Sequence, residues 1–117
     1  MNLEDLRTVQ AEERESDGIQ ELSDSFYRDV TAYIDELREE RAAQLEDTAD
    51  LYGSEDVRQL THEIETAQEV AEAIYDRRLS KIVKHASLAA AGMTTEETGL
   101  TDEEKALYSD LVARIET

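Results

Sequence analysis

The stretch from Glu55 to Ala91, EDVRQLTHEIETAQEVAEAIYDRRLSKIVKHASLAAA, contains neither glycine nor proline. Ser54 precedes it as a candidate N-cap, Glu55 and Asp56 fill a first turn where the helix dipole favours anions, and Gly92 follows as a C′ residue. A single helix of about 37 residues, about 55 Å long, is therefore expected. Val57, Leu60, Ile64, Ala67, Ala71, Tyr75, Leu79, Ile82, Ala86 and Ala89 recur at steps of three or four, which makes one broad apolar face that has to be buried. Heptad spacing holds from Val57 through Ala71. The apolar seam then moves by one residue to Tyr75, Leu79, Ile82 and Ala86, and Arg78 and Lys81 stand on the old a and d positions, so a free-standing two-stranded coiled coil is not expected.

Outward from this helix, the segment after Ser23 to about Thr48 carries Phe26, Val30, Tyr33, Ile34, Leu37 and Leu45 in the same rhythm, with Asp29, Asp35, Glu36, Glu39 and Glu40 on the other faces. Residues 49–54 are a short connection, and short connections join antiparallel neighbours, so the two long helices are expected to form a hairpin. A shorter helix from Leu3 to about Glu15, capped by Asn2, has only Leu3, Leu6 and Val9 to dock with, and Asp17-Gly18 ends it. Ile19 and Leu22 look like loop residues that tuck under the next helix. After a polar segment, Met93 to Gly99, Thr101 and Glu104 have capping-box spacing and open a last helix with Leu107, Leu111, Val112 and Ile115 inside. Strand-like alternation is missing from the sequence. The expected fold is all-α, a single helical domain over residues 1–117, built on a long central antiparallel hairpin with a short N-terminal and a C-terminal helix.

Thirty acidic against twelve basic side chains give 117 residues a formal charge of −18, and the bases are nine Arg to three Lys. Self-repulsion at this density destabilises a compact chain unless salt screens it, a lever halophiles use, so a cytoplasmic protein of a salt-accumulating organism is expected. A disordered acidic chain is the competing reading, but 39% hydrophobic residues at helical spacing are too many for it. The charge argues against a nucleic-acid or anionic-membrane binder over the whole surface, and leaves room for a local patch. Without cysteine, disulfides and thiolate chemistry are excluded. The longest apolar run, Leu88 to Ala91, is far too short for a membrane span, and the acidic N-terminus is unlike a signal peptide.

Enzymatic patterns fail one by one. His62-Glu63 begins like a zinc-protease signature, but position 66 is Thr; a di-iron bundle needs Glu three residues before His, and Gln59 and Ile82 occupy those positions. Gly18, Gly53, Gly92 and Gly99 are scattered and make no phosphate loop, and Asp47, Asp50 and Gly53 do not match a calcium loop. A non-enzyme without metal or cofactor is expected. His62 reads as a surface or boundary residue, and His85 as a neighbour of a basic stripe.

That stripe is the sharpest feature left. Four formal positive charges and no acid lie between Arg77 and His85, whereas the other positions hold eight basic and thirty acidic residues. Arg77, Lys81 and Lys84 fall within about 60° of one another, with Arg78 and His85 at the edge of the apolar face. Ion pairing within the chain or between subunits is the favoured reading, since the planar fork of Arg suits it; phosphate-backbone contact is the alternative.

Ile74-Tyr75-Asp76-Arg77-Arg78-Leu79-Ser80-Lys81-Ile82 resembles the central-helix pattern of the GINS family, in which Tyr, two nearby Arg, Leu, Lys and Ile recur. Leu3-Glu4-Asp5-Leu6-Arg7 with Glu13-Arg14, the pair Phe26-Tyr27, and Leu100-Thr101-Asp102-Glu103-Glu104 with Leu107-Tyr108 are similar to the archaeal subunit whose helical domain comes first. The resemblance covers essentially the whole chain. It implies a non-catalytic scaffold of the replicative helicase, cytoplasmic and nucleoid-associated, which forms a homo- or hetero-tetramer with other GINS subunits through helical domains and bridges the MCM motor to a RecJ-like partner. Family members of this type carry a β-rich domain after the helical one, and the sequence stops before it, as a fragment or a reduced form would. Much of the RecJ-like contact belongs to that domain and is not expected of these residues; DNA contact is expected to be weak at most, and membrane contact is not expected. The core or subunit-interface positions are then Phe26, Val30, Tyr33, Leu37, Ile64, Tyr75, Leu79 and Ile82. Arg77, Arg78, Lys81 and Lys84 are the ion-pairing or partner residues.

Overall fold

A computed structural model describes residues 1–47, 55–93 and 99–116, apart from the side chain of Asp47. Four helices follow one another: α1 (Leu3–Glu15), α2 (Phe26–Asp47), α3 (Glu55–Ala90) and α4 (Asp102–Glu116). The described residues contain no strand. The expected N-cap Ser54 and the turn of the expected hairpin lie outside the described residues.

Local chemistry explains the helix ends. At α1 the Asn2 side chain accepts from the Asp5 N–H at 2.8 Å and the Asp5 carboxylate accepts from the Asn2 N–H at 3.0 Å, a reciprocal cap that satisfies two orphan donors. Gly92, at φ +86°, closes α3. Its N–H bonds to the Ala89 carbonyl and that of Met93 to the Leu88 carbonyl, both at 3.0 Å, the Schellman arrangement that a residue with a Cβ would strain.

The backbones of α1, α2 and α4 each lie along α3 and not along one another. Arg41 donates to the Thr61 hydroxyl at 3.4 Å, and the Tyr27 ring meets Tyr75 edge-on at 6.0 Å. The start of α2 thus lies beside the later part of α3, and the later part of α2 beside the start of α3. The result is a long, thin molecule of 63 × 27 × 19 Å. Its apolar core comes in two parts strung along α3. One gathers Leu6 of α1, Phe26, Val30, Tyr33, Ile34 and Leu37 of α2, and Ile64, Ala67, Val70 and Ile74 of α3. The other joins Ile82 and Ala86 to Leu100 and Tyr108, with Ile19, Leu107, Leu111 and Val112 packed against it.

Several expectations need correction. Tyr75 is 45% exposed, Leu45 45% and Ile115 47%, so none of the three is in the core of this chain; Leu79 is half-buried. The heptad seam does not move at Ala71. Ile74, Arg78 and Lys81 continue it and are all buried, because α1 docks beside α3 and draws that row inward. Apolarity shifts by one residue at Tyr75, whereas burial keeps to the old row through Lys81 and reaches the shifted row only at Ile82 and Ala86.

The 16–25 segment crosses the approach to α4. The Leu22 N–H bonds to the Gly99 carbonyl at 3.2 Å and the Asp102 N–H to the Asp24 carbonyl at 3.0 Å. Gly99 sits at φ +90°, and a Cβ there would stand 2.9 Å from the Gln20 carbonyl oxygen. Gly99→Ala is expected to cost about 1–3 kcal/mol through positive φ and backbone crowding, read by guanidinium unfolding in molar KCl. Gly18→Ala, where the nearest atom to a new Cβ is 3.9 Å away, is the control; equal effects at the two positions would mean that the crossing is not tight.

Candidate functional site

Between the two apolar clusters lies a layer of buried charge, built from residues that are distant in sequence. Arg78 and Glu13 are 0% exposed, Glu104 3% and Lys81 8%. Arg78 is on the α3 seam, Glu13 in the last turn of α1 and Glu104 in the first turn of α4. Glu13 follows Leu6 by seven residues, which puts its carboxylate on the inner stripe of α1.

All five guanidinium N–H donors of Arg78 are used. Nε donates to Glu104 Oε2 at 2.8 Å and Nη2 to Glu104 Oε1 at 2.6 Å, the two-point fork that matches a carboxylate. Nη2 also reaches the Gly99 carbonyl at 2.9 Å, while Nη1 donates to Glu13 Oε1 at 2.7 Å and to the Gln20 carbonyl at 2.9 Å. Lys81 uses its three donors on Glu13 Oε2, the Glu13 carbonyl at 2.7 Å and the Gly18 carbonyl at 2.8 Å. The Glu13 carbonyl is one of the unpaired acceptors at the end of α1, so Lys81 also serves as its C-terminal cap.

The carboxylates are equally committed. Glu104 Oε1 accepts from the Thr101 N–H at 3.0 Å and Thr101 Oγ1 accepts from the Glu104 N–H at 3.3 Å, completing the capping box of α4. Tyr27 donates its hydroxyl to Glu104 Oε2 at 2.7 Å, and Gln20 its amide to Glu13 Oε1 at 3.0 Å. Two cations face two carboxylates, and the layer is neutral. Burial pushes the Glu104 and Glu13 carboxyls up, but their hydrogen bonds outweigh it, from Arg78, Thr101 and Tyr27 for Glu104 and from Lys81, Arg78 and Gln20 for Glu13, and hold both below the usual range. Burial also opposes the charge on Arg78, and the two carboxylates overcome it, raising its pKa. Burial and the bond to Glu104 raise the Tyr27 hydroxyl far out of reach of ordinary pH.

The basic stripe is therefore split. Arg78 and Lys81 point inward, whereas Arg77 and Lys84 are exposed beside a shallow depression that Asp17 and Ser80 also line. Arg77 Nη2 donates to the Arg14 carbonyl at 3.4 Å. Phe26, Val30, Tyr33, Leu37, Ile64 and Ile82 are core residues. His62 is exposed, and His85 is half-buried with Nδ1 shut off from solvent and unpartnered among the described residues. The sequence names Glu13 and Tyr27 only within the family pattern and Glu104 only as a cap; their bonds to Arg78, Lys81 and one another, and any role for Gln20, come from the structure. For Glu13 the signal was present, a carboxylate on an otherwise apolar stripe. For Gln20, whose carbonyl and side chain both serve, nothing local marked it.

No group of three or more His, Asp and Glu placed to hold a metal occurs among the described residues, and no helix among them is long and apolar enough to cross a membrane. The chain matches no model of a known protein family and no curated protein sequence.

Removing one partner of a buried pair strands the others, which costs about 3–5 kcal/mol. Arg78→Gln is expected to show that loss in molar KCl, and Lys81→Gln a smaller one, since Glu13 keeps Arg78. Combining Arg78→Met with Glu104→Gln should cost clearly less than the sum of the two single changes; simple additivity would mean that the two side chains act independently. Acid tests the same layer. The folded pKa values of Glu13 and Glu104 are depressed, so their contribution is present above the unfolded value of 4.5 and disappears as pH falls through the folded values. In about 1 M KCl, where a Debye length of roughly 3 Å mutes surface repulsion, stability should be flat from pH 7 to 5 and fall below pH 4.5. A flat profile to pH 3 would contradict the ionic assignment.

Proposed function

We propose that this chain is a non-catalytic scaffold subunit of a GINS-like replication complex, from an archaeal, salt-accumulating cell. Its helices drive assembly with other GINS-like subunits into a homo- or hetero-tetramer and present the assembly to the MCM helicase. In that role it serves the link between MCM and a RecJ-like partner at the fork. The two long helices act in this reading as an antiparallel hairpin, and the protein works in the cytoplasm at the nucleoid.

One observation carries the reading. The four stretches that resemble the family pattern, around Glu13, Tyr27, Arg78 to Lys81 and Thr101 to Glu104, meet in one buried layer where every named charge is satisfied by another member. With every donor of Arg78 and Lys81 so committed, neither cation has one left over for a substrate, which fits a role in shape. The apolar side chains left in solvent, Tyr75 and Val83 on α3, Leu45 on α2 and Ile115 on α4, are what partner subunits would cover.

Light scattering on the purified chain in molar KCl is expected to give a tetramer mass, which Tyr75→Glu reduces. A tagged chain should also recover a second GINS-like subunit and MCM from cells of its source in the same salt. A monomer at tens of micromolar, with neither protein recovered, would overturn the proposal.

A further inference from the structure

Among thirty carboxylates, cations left without one are informative. Arg28, Arg38, Arg78, Lys81 and Lys105 are in ion pairs. Arg7, Arg14, Arg77 and Lys84 are exposed and in no ion pair among the described residues. Arg58, at the start of α3, is a fifth such cation and stands apart; the other four are not scattered. Arg14 and Arg77 are joined by the bond from the Arg77 guanidinium to the Arg14 carbonyl. Arg7 stands two turns before Arg14 on the same stripe of α1, and Lys84 two turns after Arg77 on the same stripe of α3. Each pair lies within about 20° in azimuth and is about 10.5 Å apart along its helix.

We propose that this α1/α3 face, Arg7, Arg14, Arg77 and Lys84, binds the phosphate backbone of nucleic acid without reading its sequence. The surroundings favour phosphate over a protein surface. Protein interfaces are anchored by buried aromatic or large apolar side chains, whereas backbone-binding surfaces are polar and cationic. The exposed apolar residues of α3 turn away from this face, Tyr75 by about 160° from Arg77 and Val83 by about 100° from Lys84. Along the stripes between the cations stand Gln10 and Ala11 of α1 and Ser80 of α3, small or polar groups that let a strand approach. Three of the four cations are Arg, whose fork grips phosphate oxygens in pairs. With no aromatic ring on this face to stack on a base, binding is independent of sequence. Asp17, in the depression beside Arg77 and Lys84, and the overall charge of −18 oppose the contact and keep it weak and strongly salt-dependent. The inference does not rest on the scaffold reading, since it uses other side chains and holds for the chain alone.

The test is fluorescence anisotropy with a labelled 20-base-pair duplex of arbitrary sequence, and with its single strand, across the KCl range in which far-UV circular dichroism shows the helices intact. For the duplex, log K against log salt should fall with a slope of about −3 to −4. Each of R7Q, R14Q, R77Q and K84Q should make the slope shallower by about one. All four side chains are exposed, so the fold should survive, and R58Q, at an exposed cation of α3 in no ion pair among the described residues, should leave the slope unchanged. The tighter of the two probes identifies the form of nucleic acid recognised. The proposal is overturned if neither probe binds at the lowest salt that keeps the helices. It is equally overturned if R77Q and K84Q match the parent chain, or if polyglutamate of equal charge displaces the probe as well as unlabelled duplex does, which would mark a carboxylate-rich protein as the partner.

Discussion

The structure depends on one guanidinium. Arg78 lies at the point on α3 where α1, the 16–25 segment and the start of α4 converge, and it gives each of them at least one hydrogen bond. A buried Arg is tolerable only if its desolvation is offset by good geometry and complete pairing. Here all five donors have acceptors, both carboxylates are nearly sealed from water, and Lys81 balances the remaining charge. An apolar side chain of the same volume would fill the space. It would leave the Glu104 and Glu13 carboxylates and the Gln20 and Gly99 carbonyls without this partner, which is why the layer can be replaced only as a whole.

The layer also settles how the pieces are held in register. Apolar contacts are non-directional, and a long helix with two separate apolar clusters could slide against its neighbours by a turn at modest cost. Hydrogen bonds to fixed lone pairs forbid that. The same Glu104 carboxylate starts α4 by capping Thr101, grips Arg78 and accepts from Tyr27 at the first turn of α2. Local helix initiation and long-range docking are thus one event at that residue. Lys81 does the corresponding work at the end of α1.

Outside the layer the problem is repulsion. A thin molecule 19 Å across its shortest dimension has much surface for its volume, and most of its carboxylates are spread over it. Spreading lowers the repulsion between them, and salt lowers it further. The two kinds of cation behave differently in this setting. Those on the seam are spent on internal carboxylates, while Arg7, Arg14, Arg77 and Lys84 stay in solvent and set a face of opposite sign against an acidic background.

By itself the sequence determined the helices and their ends. Uninterrupted helical spacing in 55–91, Asn2 with Asp5, Thr101 with Glu104, and Gly92 are local signals, because helix formation and capping are settled within a few residues along the chain. It also marked Phe26, Val30, Tyr33, Leu37, Ile64 and Ile82 as core, since apolar side chains at steps of three and four have no other cheap place to go. Tertiary structure alone decided which side of α3 is inside near Arg78. Apolarity pointed to Tyr75, and a cation on a seam reads locally as a break in it. Burial of Arg78 and Lys81 becomes favourable only when carboxylates from positions 13 and 104, and carbonyls from 18, 20 and 99, arrive from elsewhere in the chain. The energy of a buried charge is a property of its partners, and a single helix does not contain them.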